Sequence, residues 1–154
     1  MKKLGTMLVL AGLVTLVASM PAAAQATWNG SSLNVKFSAP MAFYVGDKLM
    51  PAGSYVVTQG AGGSNANMLL VSGKGKNEAY VEFTAIGSPK PLAKMDVTFN
   101  KYGDKEYLNS IKWPGGADTQ GSWILKINPS AGEQAAAKAA AATTHTISGT
   151  SNKK

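Results

Sequence analysis

Apolar and polar residues alternate with a period of two along much of this chain. In Ser32-Leu33-Asn34-Val35-Lys36-Phe37 the odd positions are apolar and the even ones polar. That is the pattern of a strand with one face in a core and the other in water. Ser38-Ala39-Pro40 breaks it. Phe43-Tyr44-Val45 predicts a short second strand, Gly46-Asp47-Lys48 a turn, Leu49-Met50 a resumed strand and Pro51-Ala52-Gly53 another turn. Proline presets the backbone for the second position of a turn, and glycine tolerates the left-handed geometry at its exit. Ser54 to Gln59 follows as a strand with Tyr55 and Val57 on one face.

Beyond a Gly/Ser/Asn loop from Gly60 to Asn67, Met68 to Ser72 predicts a short apolar strand and Gly73 to Asn77 a turn. From Glu78 to Ile86 the alternation is regular: Ala79, Val81, Phe83 and Ala85 share one face, Glu78, Tyr80, Glu82 and Thr84 the other. Gly87 to Pro91 is a rigid break. Leu92 to Asn100 predicts a strand with Ala93, Met95, Val97 and Phe99 inward, and Gly103-Asp104 is a hairpin signal. Tyr107, Ile111 and Trp113 share a face of the next strand, which Pro114-Gly115-Gly116 ends. Ser122 to Asn128 closes the series with Trp123, Leu125 and Ile127 together. About seven or eight short strands with turn signals every eight to twelve residues predict an all-β fold, an antiparallel sandwich or small barrel.

The C-terminal part follows another pattern. Ser130-Ala131-Gly132-Glu133 fits a capping box, in which the serine oxygen takes a backbone N–H and the glutamate reaches back. The Ala-rich stretch to Ala142 predicts a short helix over 130–142, alanine being the best helix former. It offers little to bury, so the sequence leaves open whether it docks. Residues 143–154 are polar and small, and predict a disordered tail.

The N-terminus changes the picture by giving an address. Lys2 and Lys3 precede an apolar run from Met7 to Val17, then Ser19-Met20-Pro21 and Ala22-Ala23-Ala24. This is the pattern of a secretory signal peptide over 1–24, cut before Gln25. The run is short for a membrane span, which needs about 20 apolar residues, and no second run of that length follows. The expected product is a periplasmic or secreted β-domain over 25–129 with no transmembrane span. With no cysteine there is neither a lipid-bearing cysteine nor a disulfide framework. Stability must come from a packed core.

Charge narrows the partners. The chain has 15 Lys and no Arg against 8 Asp or Glu; removing Lys2 and Lys3 leaves 13 − 8 = +5. Arginine is the residue that grips phosphates and guanine edges with two parallel bonds. A basic chain without it, its lysines scattered, is not built for specific nucleic-acid recognition. Weak attraction to anionic envelope polymers is the sharper reading of the charge and a solvated surface the plainer one.

The candidate chemistry is thin. A catalytic triad needs an oriented imidazole, and the single histidine, His145, falls in the polar tail. Clustered metal ligands are missing for the same reason, and no cofactor is expected. Glu78 and Glu82 share a face about 13 Å apart, and Asp104 and Glu106 about 7 Å, from the strand rise. Only the second spacing suits a carboxylate pair, and there Asp104 more simply supplies the turn. Gly73-Lys74 lacks the upstream glycine of a phosphate-binding loop, Met68 standing in its place. What remains is aromatic. Trp28, Tyr107, Trp113 and Trp123 are the candidate ligand or interaction surface, against the plainer reading that they fill a core.

One stretch carries a resemblance. Val45, Gly46, Leu49, Pro51, Ala52, Gly53 and Tyr55, with Met50 inserted before the proline, resemble the Gly-x-x-Leu-Pro-Ala-Gly-x-Tyr turn of uncharacterised small exported bacterial proteins of the acidobacterial type. Phe99 to Asp104 with Tyr107-Leu108 looks like a second half of the same pattern, and the likeness spans most of Phe37 to Ile127. It implies an exported β-domain and no activity. The expected function is a non-catalytic exported domain binding an envelope protein or polymer, with a barrel carrier for a small apolar ligand as the alternative.

Overall fold

The computed structural model describes residues 33–60, 67–115 and 121–151. The predicted signal peptide lies outside them. Ten strands and one helix follow in chain order: β1 (Asn34–Ala39), β2 (Phe43–Val45), β3 (Lys48–Met50), β4 (Gly53–Gln59), β5 (Met68–Ser72), β6 (Glu78–Gly87), β7 (Met95–Tyr102), β8 (Lys105–Trp113), β9 (Trp123–Ile127), α1 (Ala131–Ala139) and β10 (Thr143–Ser151). Eight of them close a ring in the order β1-β4-β5-β6-β9-β8-β7-β10 and back to β1, every pairing antiparallel. Of the two architectures the alternation allowed, the fold is the closed barrel.

The period-two faces lie where the pattern put them. Leu33, just before β1, and Val35, Phe37 and Ala39 of that strand lie in the core with Tyr55, Val57, Leu69, Val71, Ala79, Val81, Phe83, Met95, Val97, Phe99, Leu125 and Ile127. Ala93, expected inward, stands exposed before β7 begins. Phe37, Phe43, Tyr55 and Phe99 form an aromatic centre, with Phe43 edge-on to Tyr55 at 5.0 Å and to Phe99 at 5.2 Å. Such pairs add about 0.5–1.5 kcal/mol beyond the area they bury. The Pro-Ala-Gly-x-Tyr stretch now has a physical account. Tyr55 turns inward from β4, and its hydroxyl donates to the Pro51 carbonyl, closing the turn that precedes the strand. Gly73 lies against the same ring; a Cβ there would stand 2.6 Å from it.

Two corrections concern the later chain. Residues 143–151 are not a disordered tail: Thr143–Ser151 is the strand that closes the barrel, paired over seven residues with β7 and over two with β1. Threonine is β-branched and suits a half-buried sheet surface, and there are four in this strand. Gly149 permits the closure, since a Cβ would stand 3.2 Å from the Met95 side chain and 3.4 Å from the Lys36 carbonyl. The second correction is in β8. Thr98 pairs with Ser110 but Phe99 with Leu108, so Asn109 is an extra residue and the strand bulges. A bulge reverses the faces of what precedes it. Leu108 therefore points inward with Ile111 and Trp113, and Tyr107 outward, away from the face it was expected to share.

Helix α1 does dock. Ser130 Oγ accepts the Glu133 N–H at 3.1 Å as the N-cap, the serine half of the expected capping box. The Glu133 carboxylate is buried and accepts from Asn100 Nδ2 at 3.0 Å, and the Gly132 N–H donates to Asp47 Oδ1 at 3.0 Å. These contacts join the helix to β7 and to the β2–β3 turn. The helix ends at Ala139, short of the predicted 142.

Candidate functional site

The barrel wall has two places where neighbouring strands part. β8 and β9 pair only over Ser110–Trp113 and Trp123–Lys126. β1 and β10 pair only at Val35–Ser151 and Lys36–Thr150. By contrast β1 pairs with β4 along its whole length, over six residues. Both seams are zipped at the end of the barrel where Trp113 and Trp123 sit, and both part toward the end that carries α1.

The first seam is filled by the chain itself. β2 lies alongside β8 in parallel, meeting it at Tyr44–Tyr107, and turns back as β3. Gly46 supplies the positive φ of +61° that this two-residue turn needs. Phe43, Val45 and Met50 are sealed into the core. Outside, Tyr44 stacks on Tyr107 at 4.9 Å and Tyr102 meets Tyr107 edge-on at 6.0 Å. Burial pushes the Tyr107 and Tyr102 hydroxyls above the ordinary tyrosine value, and the Glu133 carboxylate beside them adds to this.

The second seam is a groove of about 540 Å³ lined by Lys36, Phe37, Ser38, Ser54, Tyr55, Val56, Ile147, Ser148 and Thr150. Its floor is apolar, with Phe37 and Tyr55 buried and Ile147 half-buried against the core. Its rim carries hydroxyls, Ser38 and Ser54 touching at 3.0 Å. Lys36 is the charged residue of the lining. A smaller groove of about 400 Å³ lies at the opposite end among Ser88, Pro89, Pro91, Pro114, Gly121 and Ser122. There Ser122 Oγ is already engaged, accepting from Leu92 N at 2.9 Å and donating to Pro114 O at 3.2 Å.

The residues singled out from the sequence do not converge. Trp113 and Trp123 form a cross-strand pair, 1% and 4% exposed, inside the far end of the barrel. Tyr107 is 3% exposed in the tyrosine cluster on the outer wall. None of the three offers an aromatic surface to solvent, because packing has consumed their faces. Trp28 lies outside the described residues. Asp104 stands exposed in its turn, whereas Glu106 is buried between Lys101 Nζ at 3.8 Å and His145 Nδ1 at 3.3 Å. His145 is thus held on β10, a correction to its expected place in a free tail. Glu78 and Glu82 point outward on either side of exposed Tyr80. Among the described residues no group of three or more His, Cys, Asp or Glu is placed to hold a metal ion.

What the geometry defines is a class: a closed eight-stranded antiparallel barrel with a packed interior and one open seam in its wall. Comparison with family models, with curated proteins and with solved structures finds no match for this chain.

Proposed function

We propose that this chain is an exported, non-catalytic β-barrel domain that binds a protein or polymer of the cell envelope. One observation carries the reading. The recess, whose backbone edges have no strand partner among the described residues, is on the wall between β1 and β10, while the interior is taken up by a single cluster of side chains. A barrel that carries a small apolar ligand keeps room inside for it; here Phe43, Phe83, Phe99, Leu69 and Trp113 occupy that space. The polarity of the wall supports a domain surrounded by water. A barrel in a lipid bilayer is apolar outside and polar within, and this one turns Glu78, Glu82, Lys112 and Lys126 outward. No described helix is long and apolar enough to cross a membrane. The address rests on the Lys2-Lys3, Met7–Val17 and Ala22-Ala23-Ala24 pattern, and the resemblance to exported acidobacterial-type proteins agrees with it.

The test is to cross-link the intact envelope, purify the mature chain without detergent and weigh the product by native mass spectrometry. A discrete complex with a protein or polymer is the expected result. A small apolar mass on an otherwise bare chain would replace this reading with the carrier, and bare chain in repeated preparations would overturn it.

A further inference from the structure

The open seam has the features of a strand acceptor. Past Lys36, residues Phe37 to Ala39 of β1 keep their pairing with β4 but have no ladder partner on the β10 side among the described residues. From Thr143 to Ser148, β10 is paired with β7 and has no partner on the β1 side among the described residues, whereas Gly149 already lies against β1, where a Cβ would stand 3.4 Å from the Lys36 carbonyl. At about 3.3 Å per residue the β10 edge runs for about 20 Å. Unpaired N–H and C=O groups in a row are a template for another strand, and proteins that do not use such an edge guard it with lysine, proline or a bulge. The exposed edge of β10 reads Thr-Thr-His-Thr-Ile-Ser, with no lysine and no proline, and its ladder with β7 has no register shift on the β10 side. The fold also shows how such a break is mended, since the matching seam between β8 and β9 is filled by the added strand β2.

We propose that the β1–β10 seam receives an extended segment of a partner protein as an added strand, with an acidic residue of that segment beside Lys36. The proposal rests on the reading of the chain as a binding domain and names the chemistry of its partner. Main-chain hydrogen bonds give affinity in this mode, and alternate side chains give the selection. One face of the incoming strand meets Phe37, Tyr55 and Ile147 and calls for apolar side chains. The other face meets Ser38, Ser54, Ser148 and Thr150 and calls for polar ones. Lys36 sets the sign of charge. Asp96, across β10 in register with Ser148, is already paired with Lys94 at 3.6 Å, and the chain as a whole is basic, with formal net charge +7.

The experiment uses the full mature chain and a blocked heptapeptide, Thr-Val-Asp-Val-Thr-Val-Thr, followed by backbone amide hydrogen exchange and by titration. Slowed exchange confined to Phe37–Ala39 and Thr143–Ser148 is expected. Affinity should fall at least tenfold when alternate peptide amides are N-methylated, in one phase or the other. It should fall at least threefold with Lys36→Glu, and return when the peptide aspartate is changed to lysine. Lys36 is on the outer face, so this variant keeps the core intact, and the rescue separates lost charge from lost fold. No slowing at millimolar peptide overturns the seam; if cross-linking still yields an envelope complex, the binding-domain reading survives without it. Slowing at the same amides that grows with protein concentration and needs no peptide also overturns it, the occupant then being a second copy.

Discussion

The two seams of this barrel are built alike and finished differently. Each is zipped near the Trp113–Trp123 pair and parts toward the end that bears α1. In one, Phe43-Tyr44-Val45 runs into the gap beside β8, buries Phe43 and Val45, and stacks Tyr44 on Tyr107. In the other, the described chain supplies no strand, and a groove floored by Phe37, Tyr55 and Ile147 remains. A filled seam is stability; an open one is a place for something else. The chain turns the first into core with a three-residue strand and two turns, Gly46-Asp47 and Pro51-Ala52-Gly53. The stretch from Phe43 to Tyr55 is therefore the device that mends the wall.

The largest effect should come from removing the strand common to the open seam and to barrel closure. Deleting residues 143–154 is expected to abolish the cooperative thermal transition, because β7 and β1 both lose a neighbour and Met95, Val97 and Phe99 lose their cover. A free tail would leave the transition where it was. Circular dichroism on heating decides between them. Next in size is the filled seam itself. Phe43→Ala empties a fully buried site and should cost about 3–5 kcal/mol in denaturant unfolding. Ile147→Ala, half-buried on the open seam, should cost about 1 kcal/mol by the area it covers. Equal costs for the two would break the contrast between a sealed and an open wall.

Much of this wall was legible in the sequence, and the exceptions have physical reasons. The alternation in 32–37, 78–86 and 122–128 needs only local information, since one face must be apolar if the other meets water. The turns at Gly46-Asp47 and Gly103-Asp104 are equally local, with φ near +61° and +62° at the glycines. The Asn109 bulge is not: it is a mismatch between two strands, and Tyr107 looks inward until β7 is laid beside it. β10 escaped because its inward residues are His145, Ile147 and Gly149, a weak apolar series whose cover comes from β7 and β1. The open seam was wholly illegible, because it depends on how far two strands more than 100 positions apart stay in register. In the sequence Glu106 is weighed only as a carboxylate paired with Asp104, and only the closure of β10 puts His145 against it.

The smallest test addresses the filled seam through its tyrosines. Burial raises the Tyr107 hydroxyl above its ordinary value, with Tyr44, Glu133 and Asp47 adding to the shift and Lys105 opposing it. Burial also raises Tyr102 and Tyr55. A group raised in the folded state favours folding fully while the pH is below its unfolded value, about 10 for tyrosine. That contribution is lost as pH rises from there through the folded value, because the unfolded chain ionises first. Stability measured in denaturant should therefore be level with respect to these groups from pH 7 to 9 and decline above pH 10. Tyr107→Phe removes one ionising group where β2 meets β8 and should make the decline shallower. If Tyr107→Phe declines as steeply as the unsubstituted chain, the Tyr107 hydroxyl is solvated, and the seam is not sealed as its packing requires.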